Sequence, residues 1–450
     1  MKTTIAFAMW DQRLFVAALC GLFTAVNHAF AQSLAFTTST YAVGSGPVAV
    51  AAADVNGDGR VDLICANEND GTVSVLTNNG VGGFVTAGTY AAGTQPSSVL
   101  TVDVNGDGKV DLIVGNISYN GKFLVLTNDG SGGFGNARTY GPTYGPVTAE
   151  GVRGIAAADF NGDGKVDIVC SWFGISNGGF VVLTNDGSGG FITASISTIA
   201  FGPSLPASVV AADVNGDGNV DIINSSFFTG IVTVWTNNGN MGFADAGDYS
   251  ACVEPPRMIT TADVNGDGKV DIICADWYGL LRVLTNDGAG RFQTHGFFVP
   301  APYSVTAADI NNDGKMDLIS GSYPTNALTV STNDGSGRFA IAGTYPVGNW
   351  PISVVAADVN GDGHMDLICA NCSDNTLTVL TQIPTLAIGQ SDNSVTGSWP
   401  SSWLGWTLQQ NSDLTTTNWS ASSGVSDDGV NKSFPLPSPA GNLFFRLSYP

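Results

Sequence analysis

Histidine is nearly missing from this chain of 450 residues: His28, His295 and His364 are its only three. No Gly-x-Ser-x-Gly elbow and no His-Glu-x-x-His pair occurs, which excludes the common imidazole-assisted hydrolase and zinc-peptidase arrangements. Basic residues are scarce as well, 16 against 38 acidic ones, and a formal net charge of −22 excludes an ordinary nucleic-acid-binding surface. Beyond Val26 no apolar run is long enough to span a bilayer, so no membrane span is expected.

The early apolar run, Leu14 to Val26, is itself too short for a span. Lys2 and Arg13 precede it, and the small-x-small box Ala29-Phe30-Ala31 follows. Residues 1–31 therefore read as a signal peptide, and the mature protein is expected to be secreted: extracellular, on the cell surface or periplasmic. Cys20 leaves with that leader. Of the six remaining cysteines, Cys65, Cys170, Cys274 and Cys369 each lie eleven residues after the first Asp of a repeat, where other repeats carry Val114, Asn224 and Ser320. Equivalent positions in separate repeats point to strand packing rather than a disulfide framework. Cys252 and Cys372 can be free or paired on this reading.

What the chain has in abundance is one repeated unit. The run Asp54-Val-Asn-Gly-Asp-Gly-Arg-Val-Asp62 recurs from Asp103, Asp159, Asp213, Asp263, Asp309 and Asp358, at intervals of 49, 56, 54, 50, 46 and 49 residues. A period of that size marks a repeat architecture. Each copy follows an apolar stretch such as Ser98 to Val102 and precedes a second, such as Val110 to Val114. A third, Phe123 to Leu126, leads into the turn Thr127-Asn-Asp-Gly-Ser-Gly-Gly133, and a fourth runs from Phe134 to Tyr140. Short β-branched and aromatic runs between Gly/Asn/Asp turns are antiparallel strands joined by hairpins. Four strands per unit and seven units predict an all-β chain, a seven-bladed β-propeller with four-stranded blades over residues 32–382.

The seventh unit stops after Leu377 to Thr381 and lacks a fourth strand. Ser33 to Tyr41 supplies one: Tyr41 precedes Asp54 by 13 residues, the spacing from Tyr90 to Asp103 and from Tyr345 to Asp358, although Phe36 falls one place out of register. The N-terminal strand is thus expected to complete the last blade and leave only short sheet edges. From Ile383-Pro384 the pattern changes. Residues 383–450 hold four of the nine tryptophans and no acidic repeat, and runs such as Trp406 to Gln410 and Leu443 to Leu447 suggest a small C-terminal β-sandwich. It is similar to the short fibronectin-III-like modules that end many exported proteins.

Seven copies of Asp-x-Asn-x-Asp-Gly-x-x-Asp make residues 33–382 resemble the FG-GAP/VCBS repeat family, whose members include the integrin α-subunit head propellers. The resemblance implies calcium, about seven structural ions, in the loop between the first and second strands of each blade. The residues themselves suit that ion, because calcium takes six to eight oxygens and alternate residues of a tight loop can present them to one centre. The first loop offers Asp54, Asn56, Asp58, the Arg60 carbonyl and Asp62. The next two offer Asp103, Asn105, Asp107, Lys109 and Asp111, then Asp159, Asn161, Asp163, Lys165 and Asp167. The fourth and fifth carry Asp213, Asn215, Asp217, Asn219 and Asp221, then Asp263, Asn265, Asp267, Lys269 and Asp271. The last two carry Asp309, Asn311, Asp313, Lys315 and Asp317, then Asp358, Asn360, Asp362, His364 and Asp366. All-oxygen ligation excludes zinc and copper sites. An EF-hand would need Glu at position 12, where Cys65 or Val114 stands. Three carboxylates per loop repel one another without a cation, and seven divalent ions would cancel more than half of the net charge.

The loops on the opposite face are where ligand chemistry is expected. Six residues before each first Asp stand Val48, Ser97, Arg153, Ala207, Arg257, Tyr303 and Ile352, and only blades three and five carry a Glu-x-x-Arg pair, Glu150 with Arg153 and Glu254 with Arg257. The second-to-third strand loops add Trp172 and Phe173, Phe227 and Phe228, and Asp276, Trp277 and Tyr278, with Tyr303 and Trp350 nearby. Rings beside carboxylates and guanidiniums suit a sugar or a peptide. The expectation is a monomeric, non-enzymatic propeller that binds an extracellular carbohydrate or protein over blades three to five. The alternatives are a polysaccharide lyase-like enzyme using that face, and a structural display or spacer protein in which Trp399, Trp403 and Trp406 form a binding platform.

Overall fold

The computed structural model describes residues 34–118, 122–141, 149–174, 178–199, 206–226, 229–252, 256–276, 279–391, 394–413, 415–436 and 443–449. The expected leader, residues 1–31, lies outside them. Every regular element described is a β-strand, and no helix among the described residues is long and apolar enough to cross a membrane.

The first repeat folds as the strands Pro47–Ala53, Asp62–Asn67, Thr72–Asn78 and Phe84–Ala91, hydrogen-bonded in that order. Ala53 pairs with Asp62, so the acidic nine-residue run is the hairpin between first and second strands. Five more sheets repeat this meander, and a seventh has the order Ala35–Ala42, Thr376–Ile383, Asp366–Asn371, Pro351–Ala357. Six of the seven first strands begin with Pro, which is tolerated at a strand's opening residue because no ladder donor is needed there. Second strands such as Asp62–Asn67 are buried at every position, whereas the outer strand Phe84–Ala91 is mostly exposed after Phe84. That gradient is what stacked sheets with a solvated rim require.

First strands pack against one another in sequence from blade to blade, and Pro351–Ala357 packs against Pro47–Ala53, so the seven sheets close into a ring. The apolar core lies between blades. Ile64, Val73 and Val75 of the first meet Val99, Leu112 and Leu124 of the second, and Leu63, Cys65 and Leu76 meet Ile368, Leu377 and Val379 of the seventh. Each such aliphatic side chain contributes roughly 1.5–3 kcal/mol by leaving water. Cys65, Cys170, Cys274 and Cys369 sit buried in second strands as small apolar groups, and all six described cysteines are free.

Two polar contacts recur between neighbouring blades. Tyr41, Tyr90, Tyr140 and Tyr249, each on an outer strand, donate their hydroxyls to the carbonyls of Gly82, Gly132, Gly189 and Gly290 in the next blade at 3.0–3.3 Å. Tyr41 belongs to this series although it comes from the N-terminal strand, and Val43 N donates to the Asn375 carbonyl of the seventh blade at 3.0 Å. The second contact is an asparagine at the end of the third strand. Asn128 Nδ2 donates to Val110 O in its own blade and to Val55 O in the preceding one, both at 2.8 Å, while its Oδ1 accepts Gly130 N. Asn78, Asn185, Asn237, Asn286 and Asn333 repeat the pattern, with Asn78 reaching Val359 O of the seventh blade at 2.6 Å.

A separate compact unit comprises Thr381–Pro450 with the described residues up to Thr37 and the segment Gly361–His364. One sheet orders Ala387–Ser391, Ser394–Pro400, Asn431–Leu436 and Ser426–Asp427; the other orders Ser420–Ala421, Thr407–Asn411 and Phe444–Ser448. Trp399, Trp403, Trp406, Leu408, Phe434 and Phe445 form the core of this sandwich. The tryptophans are therefore buried packing residues and not an exposed platform. Within the same unit the His364 ring stacks on Trp403 at 3.6 Å, and Trp406 Nε1 donates to Asp362 Oδ2 at 3.4 Å.

Candidate functional site

The ring offers two places with concentrated chemistry, one at each end of its first strands. At the ends where those strands finish stand the acidic hairpins. Asp54 Oδ1 accepts Gly57 N at 2.7 Å and Oδ2 accepts Gly59 N at 2.7 Å, so the opening carboxylate gathers the loop around itself. Asp103 and Asp159 repeat these bonds, as do Asp213 and Asp263. The turn needs left-handed backbone at its fourth residue, φ 74° at Gly57; the sixth loop supplies it with Asn312, φ 57°. Asp62 is fully buried, with Oδ1 accepting Asn78 N at 2.8 Å and Oδ2 accepting Val55 N at 3.2 Å.

Burial pushes the Asp62 carboxyl above its ordinary value, two backbone hydrogen bonds oppose that rise, and the charges of Asp58 and Asp54 add to it. Asp111, Asp167, Asp221 and Asp271 behave alike, and Asp317 is pushed up to about 6. Among the described residues no three carboxylate, imidazole or thiol side chains stand gathered as a metal centre. The first Asp is turned onto amides, and the fifth-position carboxylates of five loops face half-exposed Arg60, Lys109, Lys165, Lys269 and Lys315 at 3.4–3.9 Å. Such exposed pairs are weak and yield readily to a stronger cation. The donor chemistry, hard carboxylate and amide oxygens set close together in one tight loop, suits a divalent ion of the calcium type.

At the opposite end, where the first strands begin, a cavity of about 690 Å³ is lined by the first strands of all seven blades and is the central channel of the ring. Arg153 and Arg257 line it, as do Glu68, Tyr303, Trp350 and Cys372. The Arg153 guanidinium lies 5.0 Å from the Phe173 ring centre and the Arg257 guanidinium 5.5 Å from that of Tyr303. Burial lowers the proton affinity of Arg153, the positive charge of Arg257 lowers it further, and Tyr303 and Glu68 act in the other direction. Burial raises the Glu68 carboxyl, with Arg153 opposing the rise. The Tyr303 hydroxyl is raised by burial and lowered by both arginines. Trp350 is 37% exposed, holds a left-handed backbone at φ 63°, and has Tyr323 at 4.9 Å between ring centres.

Of the expected ligand residues, the structure brings Arg153 and Arg257 to one channel. Trp172 is a correction: it is 1% exposed and packs with Val152, Cys170 and Phe123 in the core, because its strand, Asp167–Gly174, runs two residues longer than the other second strands. Phe173 is likewise buried and serves as the backing of Arg153, and Asp276 is fully buried at the end of Asp271–Asp276. Phe227, Phe228, Glu254, Trp277 and Tyr278 lie outside the described residues, as does the side chain of Glu150. Glu68 is a channel residue that the sequence does not flag. It follows a second strand in blade one and reaches the arginines only because the ring closes.

The fold and its acidic hairpins define the class: a seven-bladed β-propeller whose blades are built from acidic-loop repeats. A family model described as an FG-GAP-like repeat matches residues 54–114, 103–170, 263–320 and 309–369, and the chain is an FG-GAP-like repeat protein. No curated protein matches it in sequence. Among solved structures it is similar to BBS1N in complex with ARL6DN, in crystals soaked with lead or with mercury. The TM-scores are 0.56 and 0.55 at 12% identity, over 78% of this chain and 97% of the other. At that identity the likeness concerns the fold alone.

Proposed function

We propose that the protein is a secreted, calcium-stabilised propeller that binds an extracellular ligand, carbohydrate or protein, at the channel mouth opposite the acidic hairpins. One observation carries the reading: Arg153, Arg257, Tyr303 and Trp350, from four different blades, converge on a single cavity whose size suits a small ligand or the end of a longer one. First strands hold Arg153, Arg257 and Tyr303, Trp350 stands one residue before the strand Pro351–Ala357, and rings back both guanidiniums. Calcium belongs to the proposal on the strength of the seven hairpins and the carboxylates clustered in them; export belongs to it through the leader expected over residues 1–31. The BBS1N structures contain a protein partner, which supports a propeller of this fold as an interaction scaffold.

The test is affinity electrophoresis of the calcium-loaded protein through gels containing a panel of polysaccharides, with Arg257→Ala and Tyr303→Ala run alongside. Retardation that both substitutions relieve supports the site. Retardation unchanged by them removes the channel mouth from the proposal, and a degraded polymer zone replaces binding with catalysis.

A further inference from the structure

Where blade four meets blade five, the fold brings a half-buried thiol to a buried one. Three residues after the outer-strand tyrosines Tyr41, Tyr90 and Tyr345 stand Gly44, Gly93 and Gly348; after Tyr249 the same place belongs to Cys252. A Cβ at Gly44 or Gly348 would come within 2.6 Å of the side chain of Asn67 or Asn371, and one at Gly93 would collide with that of Asn116. Each of these asparagines is the last residue of the neighbouring blade's second strand. The position therefore aims a side chain at the end of the next second strand. Beside blade four that strand is Asp271–Asp276, so Cys252 is aimed at the face that carries Asp276 and, two residues back, Cys274.

Two contacts agree with this placement. Cys252 packs on the apolar cluster that contains fully buried Cys274, together with Ile259 and Ile272 of blade five and Val232 and Val234 of blade four. Its thiol also hydrogen-bonds that of Cys274; this bond first, then burial and the nearby Asp276 charge, raise the proton affinity of Cys274, while Arg282 opposes them. Thiols that face each other across a packed interface meet the first geometric requirement of a bridge. The backbone is held on both sides: Cys252 N donates to Gly230 O at 2.9 Å, and Cys274 pairs with Ile259 and Arg282 in mid-sheet.

We propose that Cys252 and Cys274 are a disulfide-forming pair that clamps blade four to blade five when a disulfide-type oxidant reaches the protein. The half-buried Cys252 thiolate attacks one sulfur of the oxidant and expels the other as a thiolate. Cys274 then gives up its proton and attacks Cys252 Sγ, expelling the second small thiolate. Two protein thiols are oxidised, the oxidant disulfide is reduced to two thiols, and both protons end on those. Cys274 is buried and holds its proton, so the second step is the slower one. An exported chain meets oxidants of this class. The clamp is independent of the channel mouth and of any ligand there.

The intact calcium-loaded protein, reduced and freed of reductant, is exposed to oxidised glutathione at mildly alkaline pH, alkylated in denaturant and digested with trypsin for mass spectrometry. Cleavage after Arg257 and Lys269 separates the two cysteines, and fragmentation distinguishes Cys252 from Cys170 on the same peptide. The expected result is Cys252 joined to Cys274 with loss of two hydrogens. A Tm about 3 °C above that of the reduced protein should accompany it and be reversed by dithiothreitol. Cys252→Ser should abolish link and rise, Cys274→Ser should stop with glutathione on Cys252, and Cys372→Ser should retain both. Recovery of both thiols unlinked, a persistent glutathione adduct at Cys252 in the unaltered protein, or Cys252 joined to Cys372 or another cysteine overturns the pair. The link without a rise in Tm overturns the clamp. Mapping is done on the unaltered protein, so the result does not depend on the folding of a variant.

Discussion

Replacing Asn128 by alanine is the most informative single perturbation of the ring. Its side chain uses both Nδ2 hydrogens and its Oδ1, bonding Val110 O, Val55 O and Gly130 N, and it is almost fully buried. Alanine removes three bonds and leaves two carbonyls where water is largely excluded. A made hydrogen bond contributes about 1 kcal/mol net, and a buried group left unsatisfied costs about 1–3 kcal/mol. Partial rescue by water entering the space brings the expected total to about 3–4 kcal/mol. A unit of this size has a large unfolding entropy, so the loss converts to a fall of about 3–5 °C in Tm if the blades melt together. Calorimetry in excess calcium reads it, with Ser131→Ala in the exposed turn as control. Asn128→Asp should be worse than alanine, because it aims a carboxylate at two carbonyl oxygens. A fall no larger than that of the Ser131 control would refute the staple as a source of stability, and a separate early transition would show that the blades do not melt as one.

Three further outcomes follow from the geometry. Chelation should lower Tm by more than about 10 °C, since each loop gains about 2.7 kcal/mol when calcium stands at a hundredfold excess over its Kd; equal melting with and without EDTA rules out structural calcium. Glu68 is faced by Arg153, Tyr303 and Cys372 and holds its proton to a higher pH than an ordinary Glu, chiefly through burial. Because protonation removes a negative charge beside Arg153, affinity for an anionic ligand should rise as pH falls through the raised Glu68 titration, and Glu68→Gln should flatten that dependence. Trp350→Gly should leave Tm nearly unchanged, because relief of left-handed strain (about 1 kcal/mol) and the added chain entropy of glycine (about 0.5–1 kcal/mol) oppose each other; affinity should fall about tenfold, and retained affinity would exclude the ring from the site.

The fold was legible because its information is repeated. Seven acidic runs at near-constant spacing define the hairpins, and the distance from Tyr41 to Asp54 identifies the strand that now sits beside Thr376–Ile383. Arg153 and Arg257 were legible as a pair because equivalent positions in a closed ring face the same axis. Trp172 and Phe173 were not, since the longer second strand of blade three turns apparent loop residues into core. The asparagine staples read as hairpin turn residues, a role that Asn also fills, and only the neighbouring blade reveals the second partner. Glu68 carries no local signal, because its position at the channel is a property of closure.

The strand order of the seventh sheet also governs when the molecule can form. Thr37 Oγ1 meets Thr381 O across 344 positions of sequence, so the last sheet cannot be finished until nearly the whole repeat array has been made. Joining ends that far apart costs about 5 kcal/mol in chain entropy, and no single contact at the seam offsets it. Topology therefore predicts that closure comes late in folding. Until it occurs, six sheets can stack while one edge remains open, and a second nascent copy could donate its first strand to that edge. A fast, tight cation load in the acidic hairpins would hold the partial ring in shape while its own first strand arrives.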